Sequence, residues 1–261
     1  MLLAVDIGNT SISLGVFCGK RLVKTLKIPT RKCSSDRYLR YLRFFLHQAK
    51  VKPELLHGTI VASVVPPVMP FFKQALLRLS PAPVLIVGRD LKAPIRNRYR
   101  RPEEVGQDRL VNAVAGKRLC GTPLIIVDFG TAITCDVIST RGEYLGGSIV
   151  PGFELSLRAL SEKTALLPLV RLRRPPELIG GNTVNSILSG MTYGFSALVD
   201  GLVKRLKSRF RKRVTVIATG GQARLLARYC REVNRIIPHL TLQGLKLIWD
   251  EYAARSIQAK K

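Results

Sequence analysis

The feature that most constrains this chain is that it repeats itself. Leu3-Ala4-Val5-Asp6-Ile7-Gly8-Asn9-Thr10 near the start returns as Ile125-Ile126-Val127-Asp128-Phe129-Gly130-Thr131-Ala132. Each copy is an apolar strand ending in Asp, then one apolar residue, a Gly and a small polar residue. Two strand–turn–strand units of one design predict duplicated halves. The boundary is expected near residues 116–122, which divides the chain into 1–118 and 119–261. Chance likeness between two short segments is the competing reading, and the matching Asp and Gly offsets weigh against it.

Short β-branched apolar runs alternate with amphipathic stretches, the pattern of an α/β protein. Strands are expected over 2–7, 11–17, 22–26, 59–63 and 84–87, then over 124–128, 134–138, 144–149 and 214–218. A helix is expected after Ser34 or Ser35 as N-cap, with Tyr38, Leu42, Phe45 and Leu46 on one face. Further helices are expected over 71–79, 109–119, 153–160, 185–207, 222–230 and 244–254. A chain of 261 residues buries roughly three quarters of its unfolded surface, so its stability needs neither disulfides nor a structural metal. The five cysteines are odd in number, scattered and without CxxC spacing, which argues against a disulfide framework or a zinc site.

No apolar run approaches the roughly 20 residues that span a bilayer, and Asp6 comes too early for a secretory signal. The expectation is a cytoplasmic protein with no membrane association. The anomalous quantity is charge: 43 Lys and Arg against 17 Asp and Glu give +26, which attracts phosphorylated ligands, nucleic acid or anionic surfaces whatever the fold. Acidic residues are scarce, so each Asp in an apolar setting calls for an explanation.

A strand that delivers an Asp and then turns on Gly, Asn and Thr exposes main-chain N–H groups and hydroxyls where a phosphate can approach. Asp6 would hold a hydrated Mg²⁺ rather than the phosphate itself. The alternative is a hairpin whose Asp and Asn bond only their own turn. Val216-Ile217-Ala218-Thr219-Gly220-Gly221 is a third strand–Gly turn–helix junction, where a flat ring or a phosphate fits at a helix N-terminus. Two Asp-Gly turns across an interdomain cleft, followed by this junction, have the chain order of a divided ATP site.

In Gly106-Gln107-Asp108-Arg109, Asp108 opens an expected helix and serves either as an N-cap or as chemistry. Phosphorylating an alcohol needs a carboxylate within reach of the hydroxyl to orient it and accept its proton. A neighbouring Arg suits an acidic substrate or the charge on the transferring group.

These elements resemble the ASKHA superfamily of actin, sugar kinases and Hsp70, which implies two duplicated RNase H-like domains around a central cleft. A narrower resemblance is to type III pantothenate kinases. It rests on Tyr99 to Arg109 with its GxDR segment, Gly146-Gly147-Ser148-Ile149-Val150-Pro151-Gly152, Gly181-Asn182-Thr183 and Leu240-Thr241-Leu242-Gln243-Gly244-Leu245. The resemblance implies transfer of the ATP γ-phosphoryl group to pantothenate, with Asp108 as proton acceptor. Tyr99, Gly106, Gln107, Asp108, Arg109 and Thr183 are then pantothenate contacts. Asp6, Ile7, Gly8, Asn9, Thr10, Ser11, Ile12, Ser13 and Thr131 are ATP contacts, and Asp128 is a ligand of K⁺ or NH₄⁺. A homodimer is also implied, and the helix from Asn185 is the expected contact. Thr183 has a second reading as the N-cap of that helix. Gln107 stands where the family pattern has a small residue, so a crowded substrate loop is expected.

His47, His57 and His239 show no ligand spacing, so metallohydrolase or Ser-His-Asp chemistry is not expected. The basic clusters Arg96–Arg101, Arg171–Arg174 and Lys204–Arg213 raise an alternative, an accessory protein that binds nucleic acid without turnover. It is not favoured, because no aromatic platform accompanies the charge and a helix end accounts for part of it.

Overall fold

The computed structural model describes residues 1–258. In chain order the elements are β1 (Leu2–Ile7), β2 (Ser11–Cys18), β3 (Arg21–Pro29), α1 (Ser35–Gln48), β4 (Gly58–Ser63), α2 (Met69–Leu79), β5 (Val84–Ile86) and α3 (Gln107–Cys120). There follow β6 (Leu124–Phe129), β7 (Ala132–Ile138), β8 (Tyr144–Pro151), α4 (Phe153–Lys163), α5 (Thr183–Ser189), α6 (Phe195–Lys207), β9 (Thr215–Thr219), α7 (Ala223–Leu226), β10 (Arg235–Ile236) and α8 (Leu240–Gln258).

The chain forms two compact units. One comprises Met1–Ile95, Arg100–Ala115 and the chain from Thr241; the other comprises Arg96–Tyr99 and Gly116–Leu240. Each contains one five-stranded sheet. The orders are β3-β2-β1-β4-β5 and, read in the same direction, β8-β7-β6-β9-β10. In both, the first three strands form an antiparallel meander and the last two join the central strand in parallel. This is the α/β duplication that the Asp-Gly echo predicts. β10 has only two residues and escapes detection from sequence.

In the first unit the side-chain period of two splits β1 between two layers. Leu3, Val5 and Ile7 pack with Tyr38, Leu42, Phe45 and Phe72 from α1 and α2. Leu2 and Ala4 pack with Val111 and Val114 of α3 and with Leu242, Leu245, Ile248 and Trp249 of α8. Asp6 continues the row of Leu2 and Ala4. Ser34 caps α1, its Oγ accepting from the Arg37 N–H.

The second unit repeats the arrangement. Ile125, Val127 and Phe129 join Phe153, Leu188, Val199, Val203 and Leu226 in one core. On the other face a Cβ at Gly116 of α3 would meet Leu124, Ile126 and Ile217, so Asp128 continues that row.

The division departs from the sequence expectation at the C-terminus. α8, assigned there to the second half, packs in the first unit, where the Trp249 ring occupies the space beside Gly58: a Cβ at Gly58 would lie 1.9 Å from Cη2. Its apolar stripe has an amphipathic period but does not say which sheet it covers. Residues 259–261 of the expected second half lie outside the described residues. The expected helix over 185–207 is continuous but contains a π-helical turn at Gly190–Gly194. By length and composition alone 183–207 is apolar enough to cross a membrane, which departs from the expectation of no such run. Its Ile187, Leu188, Met191, Val199 and Val203 lie in the second unit's core, which accounts for that apolarity.

Candidate active site

The first turn lies between Ile7 and Ile12, the last facing pair of the β1–β2 hairpin. The Gly8 N–H donates to Ser11 O at 3.1 Å. Thr30, just beyond β3, ties the turn down: its Oγ1 donates to Gly8 O at 2.7 Å and its N–H to Thr10 O at 3.0 Å. Asn9 and Thr10 are exposed at the tip, Gly8, Ser11 and Ser13 are half-buried, and half-buried Asp6 faces Ser13 across the hairpin. Ile7 and Ile12 are fully buried in the core, main chain included.

The start of α3 reaches the same end of the sheet. Val64, immediately after β4, donates its N–H to Ile7 O at 3.0 Å. Gly106 sits against Val64, and a Cβ there would lie 3.3 Å from Val64 Cγ1 and 2.5 Å from Asp108 Oδ1. The Asp108 carboxylate is therefore folded over Gly106, beside the carboxyl ends of the parallel strands β1 and β4, where open α/β sheets bind ligands. α3 begins one residue before Asp108, so Asp108 is not its N-cap; Oδ1 accepts from the Arg109 N–H at 2.8 Å within the first turn. Arg109 is buried. The Gln107 side chain does not crowd a loop: it lies over Gly88, where a Cβ would come within 2.6 Å of its amide carbon. Gly88 has φ +89°, so the space for the larger residue is made by a glycine after β5.

The second turn lies between Phe129 and Ile133, with Gly130 N–H donating to Ala132 O at 3.2 Å. Two other glycines press on it. Gly220, at φ +96°, leaves room for Asp128: a Cβ would fall 2.3 Å from Oδ1 and 2.6 Å from Phe129 O. Gly152 lies under the turn, where a Cβ would be 2.3 Å from Thr131 O and 2.5 Å from Gly130 O. The Asp128 turn and the Gly220-Gly221 junction are thus one assembly, with Gln222 N–H donating to Phe129 O. Asp128 Oδ1 and Phe129 O, brought together beside Gly220, are hard oxygen donors of low total charge, the kind of pair that would suit a monovalent cation better than a structural divalent one. Among the described residues no three His, Cys, Asp or Glu cluster in metal-binding fashion.

Two expected substrate residues belong to the second unit. The Tyr99 ring lies against Gly146, where a Cβ would be 3.0 Å from Cδ2 and Cε2. Thr183 is the exposed first residue of α5. The cap is Asn182, whose Oδ1 accepts from Asn185 N–H at 2.9 Å, so the N-cap reading of Thr183 is not what the fold uses. Sequence reasoning missed Asp136, fully buried in β7 with Tyr144 and Thr134 as hydrogen-bond donors. The scarcity of acidic residues was the only signal for it. Burial pushes the Cys230 thiol up to about 12, with Asp200 adding to the effect, so Cys230 is no ready nucleophile.

Two duplicated β-meander sheets, each ending its central strand in an Asp-Gly turn, define the ASKHA class of kinases and ATPases. Solved structures agree. A Campylobacter jejuni protein assigned to the Baf family of transcriptional activators aligns with TM-score 0.62 at 19% identity, covering 97% of this chain and 99% of that one. The ADPNP-bound activator of 2-hydroxyisocaproyl-CoA dehydratase from Clostridium difficile aligns with TM-score 0.59 at 14% identity, covering 100% and 97%. A family model for type III pantothenate kinase matches residues 2–205. The type III pantothenate kinase of Dehalococcoides mccartyi is 41% identical over 249 residues, 95% of this chain and 96% of that protein. Its counterpart in Moorella thermoacetica is 40% identical over 251 residues, 96% and 99%. This chain belongs to the type III pantothenate kinase family.

Proposed function

We propose that the protein transfers the γ-phosphoryl group of ATP to the primary hydroxyl of pantothenate, the first step toward coenzyme A. The hydroxyl oxygen forms the new bond to phosphorus, the bond to the β,γ-bridging oxygen breaks, ADP leaves, and the hydroxyl proton passes to Asp108. The observation that carries this reading is the position of Asp108. Its carboxylate rests on Gly106 against Val64, whose N–H holds the carbonyl of Ile7 next to Asp6. The carboxylate read as proton acceptor and the turn read as the phosphate cradle therefore lie at one end of one sheet, which supports the reading.

The exposed main chain and side chains of Gly8 to Thr10, with Ser11 and Ser13, hold the ATP phosphates. Asp6 would hold a Mg²⁺ ion, which would supply neutralisation of the phosphate charge. In the second unit Thr131 contacts ATP, and Asp128 with Phe129 O would hold K⁺ or NH₄⁺, which would supply a fixed positive charge. Pantothenate is held by Tyr99, Thr183 and the Gly106–Arg109 turn, with Arg109 offsetting negative charge. The protein acts as a homodimer. Support comes from the outer side of 183–207, where Gly190, Gly194, Ala197 and Leu198 are exposed and the first two have open space beside them.

The deciding experiment is ADP release measured side by side with pantothenate, sugars and acetate. Release that depends on pantothenate is expected; release with a sugar or acetate but not with pantothenate overturns the assignment. Sedimentation of the purified protein as a monomer would remove the dimer.

A further inference from the structure

We propose that Asp136 is a positioning residue for the acceptor substrate: through Tyr144 it seats the segment Arg96–Tyr99. The proposal rests on the reading of Tyr99 as a pantothenate contact.

Asp136 is 0% exposed in the middle of β7, where an ionised carboxylate is costly unless its oxygens are hydrogen-bonded. Both are. Tyr144 OH donates to Oδ1 at 2.7 Å, and Thr134 Oγ1 donates to Oδ2 at 2.9 Å. Tyr144 faces Ile138 across the β7–β8 pair, so its ring reaches diagonally, two residues along, to find the carboxylate.

The other side of Tyr144 is its main chain, and it grips Arg96–Tyr99. Tyr144 N–H donates to Arg96 O at 2.9 Å, and Arg98 N–H donates to Tyr144 O at 2.8 Å, a parallel bridge centred on Asn97. Glu143 reinforces it, its Oε1 lying 3.0 Å from Arg98 Nε and 3.6 Å from Arg96 Nη1. Asn97 Oδ1 then accepts the Tyr99 N–H at 3.0 Å, and the Tyr99 ring settles on Gly146. Orientation of the buried tyrosine thus fixes the backbone two residues before the substrate tyrosine.

The duplicated fold supplies an internal control. In the first sheet Gly15 faces Ala4, just as Asp136 faces Ile126 in the second. Gly15 is covered by the side chains of Leu242 and Leu22, and a Cβ there would lie 2.9 Å and 3.1 Å from them. The architecture therefore closes this position with apolar packing where no added segment has to be held. The carboxylate belongs to the half that carries Arg96–Tyr99.

The test is steady-state kinetics with both substrates, together with thermal melting, on Tyr99→Ala, Tyr144→Phe, Glu143→Gln and Asp136→Asn. Tyr144→Phe keeps the ring and removes only the hydroxyl that Asp136 holds, and Glu143→Gln weakens the ion pairs to Arg96 and Arg98, so both serve if Asp136→Asn fails to fold. Tyr144→Phe and Glu143→Gln are each expected to raise the KM for pantothenate about 5-fold, with kcat and the KM for ATP within about 2-fold. On a Tyr99→Ala background neither is expected to add a further increase. If Tyr99→Ala raises that KM and the clamp variants do not, or if their effects add in full, the inference fails. Lower kcat at unchanged KM would make the network structural only and also overturn it. If Tyr99→Ala itself leaves the KM unchanged, the reading of Tyr99 as a substrate contact fails.

Discussion

The two acidic hairpins occupy the same place in their sheets, and their first strands share one burial pattern, with every residue buried except the half-buried Asp. They are closed differently. Gly8 to Ser11 separate the last facing residues of the first hairpin, whereas Gly130 to Ala132 do so in the second, one residue fewer. The longer turn is tied from one side by Thr30 and leaves Asn9 and Thr10 exposed. The shorter one is wedged between Gly152 and Gly220, glycines that let foreign backbone touch its carbonyls and its Asp. One motif has become an open turn beside the α3 carboxylate and a closed, preformed turn beside the Gly-Gly junction. Duplication conserves where the aspartate is delivered; the neighbours decide what it is delivered to.

This comparison can be broken at several points. Asp108 lies beside the first hairpin, and in its proposed role Asp108→Asn is expected to lower kcat by roughly 10²–10⁴-fold with the fold unchanged by circular dichroism; near-normal turnover would remove it from that role. A Cβ at Gly220 meets Asp128 and Phe129 at a positive φ, whereas at Gly8 it meets only Ser11 O, at 3.2 Å. Gly220→Ala is therefore expected to cost about 3 kcal/mol in denaturant unfolding, and Gly8→Ala about 1 kcal/mol. Equal costs would mean that the turns are equally crowded. Replacing K⁺ by Na⁺ is expected to depress turnover several-fold and to have no further effect in Asp128→Asn; indifference of the parent enzyme would dissociate Asp128 from a monovalent cation. The smallest effect is expected for Thr30→Val, which removes one hydroxyl bond to Gly8 O and costs about 1 kcal/mol or less. A larger loss would make the open turn more dependent on its tie than its exposure indicates.

Much of this was legible in the residues. The strand assignments follow from β-branched runs, and the Asp-Gly turns from local chemistry, so β1 was placed to the residue and β6 to within one. The α3 start was placed two residues late, because Gly106 and Gln107 carry no helix signal of their own; what holds them is Val64 and Gly88. The cap of α5 is Asn182 rather than Thr183: Asn and Thr are both competent caps, and only the main-chain path chooses between them. Gln107 read as crowding, since a sequence does not show that a glycine from another strand lies beneath it. Asp136 was invisible because its explanation is a tyrosine from the adjacent strand.

The sequence by itself determined the duplicated α/β design, the placing of Asp6 and Asp128 at strand ends and the family to which the chain belongs. The first two rest on period-two burial and turn preferences, which act between residues close in the chain, and the third on the resemblance of its motifs to a known family. Only the tertiary structure decided that α8 covers the first sheet, that Asp108 folds over Gly106 beside the first turn, and that Asp136 bonds the tyrosine whose main chain pairs with Arg96–Arg98. Each of these joins residues far apart in sequence, and such contacts depend on which surfaces remain to be buried once the sheets have formed.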